Sequence, residues 1–278
     1  MGRKRAANSS SITGTYEIST GTAEVVPDEF RDGVYILNVN GVPSSHIVLG
    51  EPQELDFEYM RWIAAAAEQL NAVSPNKLRV THLGGAGCSL PRYFADLWPD
   101  SRHTVVELDA KLGELVRELF DVPRSPTVKI RPGDARKETE GFLPASRDII
   151  IRDVFAGDKT PKDLTTVEFF HATKSSLSAG GLYVANCGDH SDLHLAKEEL
   201  AGLSEVFDHL AVIADPPMLK GRRYGNIILL ASDTKLPAEG SVQAAQLAKA
   251  LLGGAVPAHF KDESWTRKFF AGATSAHD

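Results

Sequence analysis

Several carboxylates in this chain close short apolar runs, and a carboxylate so placed can do chemistry. The run 104–106 ends in Glu107-Leu108-Asp109. The run 128–130 leads into Pro132-Gly133-Asp134-Ala135, and three consecutive isoleucines, Ile149, Ile150 and Ile151, lead through Arg152 to Asp153. At a strand end a carboxylate can accept hydrogen bonds from both hydroxyls of a ribose, hold a cation, or take a proton. A further run, containing Val80 and Leu83, ends in the turn Gly84-Gly85-Ala86-Gly87. Glycine lets such a turn tighten and approach a ligand closely. The alternative reading of the acids is as helix caps, a position that Asp favours. It suits Asp134 better than Asp153, and suits Glu107, at the end of an otherwise apolar strand, least.

The elements that must position these groups follow from the pattern around them. Residues 78–109 read as strand, glycine turn, helix (Leu90, Phe94 and Leu97 at helical spacing), strand and acid, the first unit of a nucleotide-binding α/β domain. The separation from Gly84 to Glu107 suits such a unit, where about 20 residues is usual. The dinucleotide pattern G-x-G-x-x-G is incomplete: Gly85 and Gly87 fit, but Leu90 stands in the third place. That counts against NAD and toward the looser turn of S-adenosylmethionine-type enzymes. Residues 14–50 look all-β, with a tight hairpin at Asn40-Gly41. A helix is predicted over 55–70, broken by Ser74-Pro75-Asn76. Further strands are predicted at 128–130, 148–152, 182–185, 210–214 and 226–231, with helices between all but the last two; Gly180-Gly181 is expected to close the helix at 164–177. The sixth and seventh strands of this α/β series are too close for a crossover helix and must be antiparallel. The expected architecture is α/β: a mostly parallel seven-stranded sheet with an antiparallel last hairpin and helices on both faces. Residues 1–13 read as a disordered polar tail, 14–54 as a small N-terminal β domain, 55–236 as the catalytic domain and 237–278 as a helical extension.

Composition narrows the classes. A chain of 278 residues can bury a full core, and its hydrophobic (42%) and charged (24%) fractions are those of an ordinary globular protein. The net charge of −7 gives a nucleic-acid role no support. No apolar run approaches the roughly 18 residues of a membrane span, and the basic, polar start lacks the apolar stretch of a signal peptide. The expected location is cytoplasmic, with Cys88 and Cys187 read as small buried residues or, if neighbours, a redox pair.

Taken in order, GGAG (84–87), VELD (106–109), GDA (133–135), DIIIRD (148–153) and the EFF helix (168–170) resemble the polyamine aminopropyltransferases, the spermidine synthase family. The resemblance spans about residues 34–232. It implies a Rossmann-like S-adenosylmethionine-dependent transferase fold behind a β-sheet domain, and a homodimer or homotetramer. It also implies small-molecule substrates, with decarboxylated S-adenosylmethionine as donor and no resident cofactor or metal. Carried over residue by residue, the glycine turn with Glu107 and Asp109 holds the nucleoside. Glu107 takes the ribose hydroxyls, Asp134 the adenine amino group, and Ala135 lies beside the ring. Asp153 matches the catalytic acid. The chain departs from the family on the polyamine side. Gly87 stands where an Asp is usual, Ala156 replaces a second loop acid (the next is Asp158), Ser44 replaces a glutamine, and Tyr59-Met60 replaces a Tyr-His pair. Tyr59, Asp158 and Tyr224 remain as acceptor-side candidates. Two other readings stay open: an S-adenosylmethionine-dependent methyltransferase, and a catalytically idle nucleoside-binding protein.

Three features stand apart. His190 and His194, at i and i+4, can share a helix face and bind metal, or belong to a solvated helix start. Lys220, Arg222 and Arg223 are either an exposed hairpin tip or a basic patch for an anionic acceptor or another subunit. Folded over the acceptor site, they would repel a cationic polyamine such as putrescine. His82, inside the strand before the glycine turn, reads as a satisfied core histidine.

Overall fold

The computed structural model describes residues 12–73, 77–157 and 159–278. The tail before residue 12, the Ser74-Pro75-Asn76 break and Asp158 lie outside the described residues. Alternation of small apolar and polar residues produces four strands, β1 (Gly14–Ile18), β2 (Gly21–Pro27), β3 (Val34–Val39) and β4 (Val42–Val48), paired antiparallel in chain order. The predicted Asn40-Gly41 hairpin joins the last two. Both residues have positive φ, 53° and 79°, as a turn matching strand twist requires. The inner face of this sheet (Ile18, Ala23, Val25, Leu37, Ile47) shares one apolar cluster with Val105, Leu112 and Val116 of the larger unit.

Helix α1 (Glu58–Leu70) starts three residues later than predicted, because the guanidinium of Arg61 takes the carbonyls of Leu55 and Asp56 and turns the chain there. Then follow β5 (Arg79–Leu83), α2 (Ser89–Leu97), β6 (Arg102–Glu107), α3 (Ala110–Leu119), β7 (Val128–Pro132), α4 (Ala135–Glu140) and β8 (Arg147–Arg152). A short 3₁₀ turn leads into α5 (Val167–Ser176), followed by β9 (Leu177–Asp189), α6 (His194–Val206), β10 (His209–Ala214), α7 (Pro216–Leu219) and β11 (Gly225–Ser232). The chain ends with α8 (Val242–Leu251), β12 (His259–Lys261) and α9 (Glu263–Phe269).

The larger sheet runs β12-β10-β11-β9-β8-β5-β6-β7, parallel from β9 to β7 and antiparallel from β9 to β12. It has eight strands rather than seven. The extra one, β12, has three residues, too few to show a period, and it covers the edge of β10, whose five buried residues would otherwise leave an apolar strand with one edge open. The Gly180-Gly181 pair also corrects the sequence reading. The helix ends before it, and β9 runs through it with an irregularity: pairing with β8 jumps from Arg147↔Leu177 to Ile149↔Leu182, and Gly180 takes φ +81°. No helix among the described residues is long and apolar enough to cross a membrane.

The strand order reverses between β5 and β8, since the chain winds outward through β6 and β7 and then returns to the other side of β5. Ligands bind at such a switch point, beyond the carboxyl ends of the strands. The small sheet is tied to this end by Asp109, the N-cap of α3, whose carboxylate accepts from Leu112 N (2.9 Å), Thr20 N (2.6 Å) and Thr20 Oγ1 (2.8 Å). Burial alone would raise this carboxyl, but the amides of Leu112, Ser19 and Thr20 and the Thr20 hydroxyl outweigh it and bring the pKa to about 2. The stabilisation is therefore complete above the unfolded value of about 3.9 and fades as the pH falls toward 2. Asp109→Asn is expected to cost about 2 kcal/mol in urea unfolding at pH 7, with the difference from wild type vanishing near pH 2. A pH-independent difference would remove the charge from this docking contact.

Candidate active site

A cavity of about 980 Å³ opens over the carboxyl ends of β5, β6 and β8, roofed by Asn40, Val42, Pro43 and Ser44 of the N-terminal hairpin. Its existence depends on close backbone approach. Gly84, at φ +84°, lies so near the next strand end that a β-carbon would stand 2.2 Å from the Asp153 carbonyl oxygen. Only glycine permits this junction, and the sequence places it there.

On one side lie the groups predicted to hold a nucleoside. Glu107 Oε2 accepts from the amides of Gly85 (3.1 Å) and Ala86 (3.2 Å), and Oε1 from Asp109 N (3.1 Å). The carboxylate thus fixes the glycine turn while still lining the cavity, and its oxygens keep lone pairs for further donors. Asp134 caps α4, its Oδ1 accepting from Lys137 N at 2.9 Å, and Ala135 follows as the first helical residue; both line the cavity. The cap reading and the cavity reading of Asp134 hold together. Asp109 also lines the cavity, with both carboxylate oxygens engaged by Leu112 and Thr20. Gly87 is not among the lining residues. Its amide donates to Ser45 Oγ (2.9 Å), and a β-carbon on it would meet Ser45 Cβ at 2.6 Å, so Gly87 and Ser45 fit only as a pair.

On the other side stands Asp153. Its Oδ1 accepts from Asn186 Nδ2 (2.9 Å) and its Oδ2 from the Tyr59 hydroxyl (3.2 Å). Burial raises the Asp153 carboxyl above the ordinary range, and these two donors, with nearby Arg152, pull it only partly back. Burial, and then the neighbouring Asp153, push the Tyr59 phenol well up, so it remains a donor. Asn186 is held from behind. Its backbone carbonyl accepts from Arg152 Nη2 (3.3 Å), and the fully buried Arg152 pairs with Glu199 at 2.6 Å. Asn186, Asn226 and Asp163 line the cavity without having been singled out from the sequence. The signal for Asn186 was present: one polar residue ends the apolar run 182–185. Tyr224 lines the cavity, half exposed, its ring 5.0 Å from that of His190.

Other readings are corrected. Helix α6 starts at His194, so His190 lies outside it and the two histidines do not share a helix face. Arg223 is neutralised by Asp215 at 2.6 Å, and none of Lys220, Arg222 and Arg223 lines the cavity. Among the described lining residues there is no lysine or arginine, while Glu107, Asp109, Asp134, Asp153 and Asp163 are acidic. Cys88 and Cys187 are buried, free, and in separate apolar clusters, so they are not a pair. His82 is buried as expected but only half satisfied: Nε2 faces His103 Nδ1 at 3.1 Å, and Nδ1 has no partner among the described residues.

No family model matches the chain. In structure it is similar to a probable spermidine synthase from Corynebacterium glutamicum, at 60% identity and a TM-score of 0.94 over 96% of this chain and 97% of that one. A polyamine aminopropyltransferase of Vibrio vulnificus is 29% identical over 219 residues, 77% of this chain and 69% of the relative. Human methyltransferase-like protein 13, solved in complex with SAH, is 25% identical with a TM-score of 0.57, over 70% of this chain and 90% of that one.

The raised pKa of Asp153 carries a stability consequence. Its ionised form is penalised in the folded state, so the penalty is absent below the unfolded pKa and grows as the pH rises through the folded one. Asp153→Asn keeps the shape and removes the charge. Its melting temperature is expected to exceed that of the wild type at pH 7 and to match it at pH 3. A variant less stable at pH 7 would show that the ionised carboxylate is a net structural asset.

Proposed function

Because this chain belongs to the polyamine aminopropyltransferase (spermidine synthase) family and is a transferase, we propose that it moves an aminopropyl group from decarboxylated S-adenosylmethionine to an amine. The observation that carries the reading is Asp153, fixed between Tyr59 and Asn186 in a cavity lined by acids and no cationic side chain among the described residues. The glycine turn, Glu107, Asp134 and Ala135 hold the adenosine in this reading, and Asp153, Tyr59 and Tyr224 face the acceptor. The acceptor nitrogen attacks the carbon next to the sulfonium. The C–S bond breaks, its electron pair goes to sulfur, and methylthioadenosine leaves. The proton lost by the amine goes to Asp153, whose raised pKa brings it nearer the operating pH, where a general base works best. The remaining acids favour two cationic reactants in a site shielded from water.

The lining also bears on the choice of donor. A carboxylated donor would place its methionine carboxylate among acids with no lysine or arginine to meet it, which supports the decarboxylated form. The methyltransferase reading draws on the similarity to methyltransferase-like protein 13. The repulsion of a polyamine expected from Lys220, Arg222 and Arg223 loses its premise, because the three stand outside the cavity and Arg223 is paired. The acceptor proposed here is therefore a cationic diamine or polyamine, not an anion.

Titration with S-adenosylmethionine, its decarboxylated form and methylthioadenosine tests the reading. The decarboxylated donor should bind more tightly than the carboxylated one; the reverse preference would favour methyl transfer, and failure of all three to bind would sink both. Glu107→Gln puts an amide N–H against the Asp109 amide and removes a charge. It is expected to weaken methylthioadenosine binding about 10- to 100-fold, the cost of losing charge-assisted hydrogen bonds. Asp153→Asn should lower the turnover of a diamine by about 10²–10⁴ with donor binding retained. Intact turnover in that variant would take Asp153 out of the proton transfer.

A further inference from the structure

His82 is polar, 2% exposed, on the wall of the cavity, and has no part in the mechanism above. It projects from β5 on the same sheet face as Ile151 of β8, Asp153 just beyond that strand and Asn186 of β9, one strand position deeper than the reacting end. The hydrogen bonds behind it fix its tautomer. Ser101 Oγ lies 2.5 Å from the Trp98 carbonyl oxygen, a separation that two oxygens tolerate only with a proton between them, so the serine proton is there. Ser101 Oγ must then accept from His103 Nε2, 2.7 Å away. His103 Nδ1 is left bare and accepts from His82 Nε2 at 3.1 Å. His82 Nδ1 therefore carries no proton, and no donor among the described residues reaches it. A second bare acceptor lies beside Asp153: Asn186 turns its Nδ2 to the carboxylate, and its Oδ1 is buried without a partner.

We infer that His82 Nδ1 is an amine-binding group of the active site, accepting a hydrogen bond from an alkylamine N–H of a substrate chain lying over Asp153. The inference rests on the aminopropyl-transfer reading for the presence of an amine. A buried bare acceptor costs free energy unless a donor completes it, and an amine brings donors that no protein group supplies here. Burial, and then His103, push the His82 imidazole well down, and burial brings His103 down to about 4, so both rings stay neutral and the acceptor persists at working pH. The amine is either that of the donor's aminopropyl group or that of the acceptor.

Two substitutions separate this role from a structural one. His82→Asn puts an amide oxygen near the place of Nδ1 and gives up His103; His82→Gln puts an amide nitrogen near the place of Nε2 and gives up the unpartnered acceptor. Calorimetric titration should find that the Gln variant binds the amine-bearing ligand about tenfold more weakly, while the Asn variant stays within about twofold of wild type. Methylthioadenosine, which has no amine chain, should bind all three proteins alike. Loss confined to decarboxylated S-adenosylmethionine assigns the donor amine; loss confined to a diamine added with methylthioadenosine assigns the acceptor. The reverse order, Asn weak and Gln intact, would assign His82 to holding His103 and overturn the inference, as would equal affinities. In the wild type, the ¹⁵N signal of His82 Nδ1 should move when the amine ligand binds and stay put with methylthioadenosine; no movement in either overturns it without any variant. Wild-type protein that binds methylthioadenosine but no amine ligand would instead refute the functional reading on which this one stands.

Discussion

The contact between Gly84 and the backbone of Asp153 is the constraint on which the site depends. The Asp153 amide donates to the Leu83 carbonyl at 2.9 Å, the last rung of the β5–β8 pairing, and the chain then opens on both sides. Because residue 84 has no β-carbon, the glycine turn folds over at that rung rather than one residue later. The turn amides then face Glu107 on the next strand, and the Asp153 side chain points into the space the turn vacates. A methyl group at residue 84 would push the two strand ends apart and separate the groups proposed to hold the nucleoside from the proposed proton acceptor.

Holding Asp153 is a problem of a different kind, since a largely buried carboxylate needs donors that do not move. Tyr59 reaches it from the first turn of α1, and Asn186 from the end of β9. Asn186 in turn depends on Arg152, the residue immediately before Asp153, whose guanidinium crosses to the other face of the sheet and is buried with Glu199 of α6. Breaking one partner of such a pair leaves an uncompensated buried charge, at a cost of about 3–5 kcal/mol. The pair therefore locks α6, β8 and β9 at the strand ends from which Asp153 and Asn186 project.

The sequence made the groups on the β5–β6–β7 side legible because they lie in local units: a glycine turn after a strand, an acid ending the next, a capped helix after the third. Asp153 was legible for the same reason. What stayed hidden was set by contacts distant in sequence. Nothing near Gly87 announces that Ser45 fills the space beside it, and nothing near His82 shows that its second nitrogen has no donor. The basic triplet at residues 220–223 read as a threat to a cationic substrate because sequence shows charge but not its partner; Asp215, at the N-cap of the preceding turn of helix, already holds Arg223. In the fold, β12 was missed because three residues carry no period, and Gly180-Gly181 was misread because a glycine pair ends a helix and relaxes a strand equally well.

The thinning of acids near Gly87 and Ala156 has a physical logic once the neutral acceptors are seen. A second carboxylate within about 4–6 Å of Asp153 would disfavour its ionised form and push its pKa further up than burial already does. With Ser45 packed against Gly87, no acid can enter at that position. His82 Nδ1 and Asn186 Oδ1 are buried acceptors without partners among the described residues, and neither adds charge. They attract an ammonium less strongly than a carboxylate would, but they leave the charge state of Asp153 to burial, its two fixed donors and nearby Arg152. In the proposed reaction, a site built this way trades affinity for a cationic chain against a proton acceptor whose protonation does not depend on a second acid.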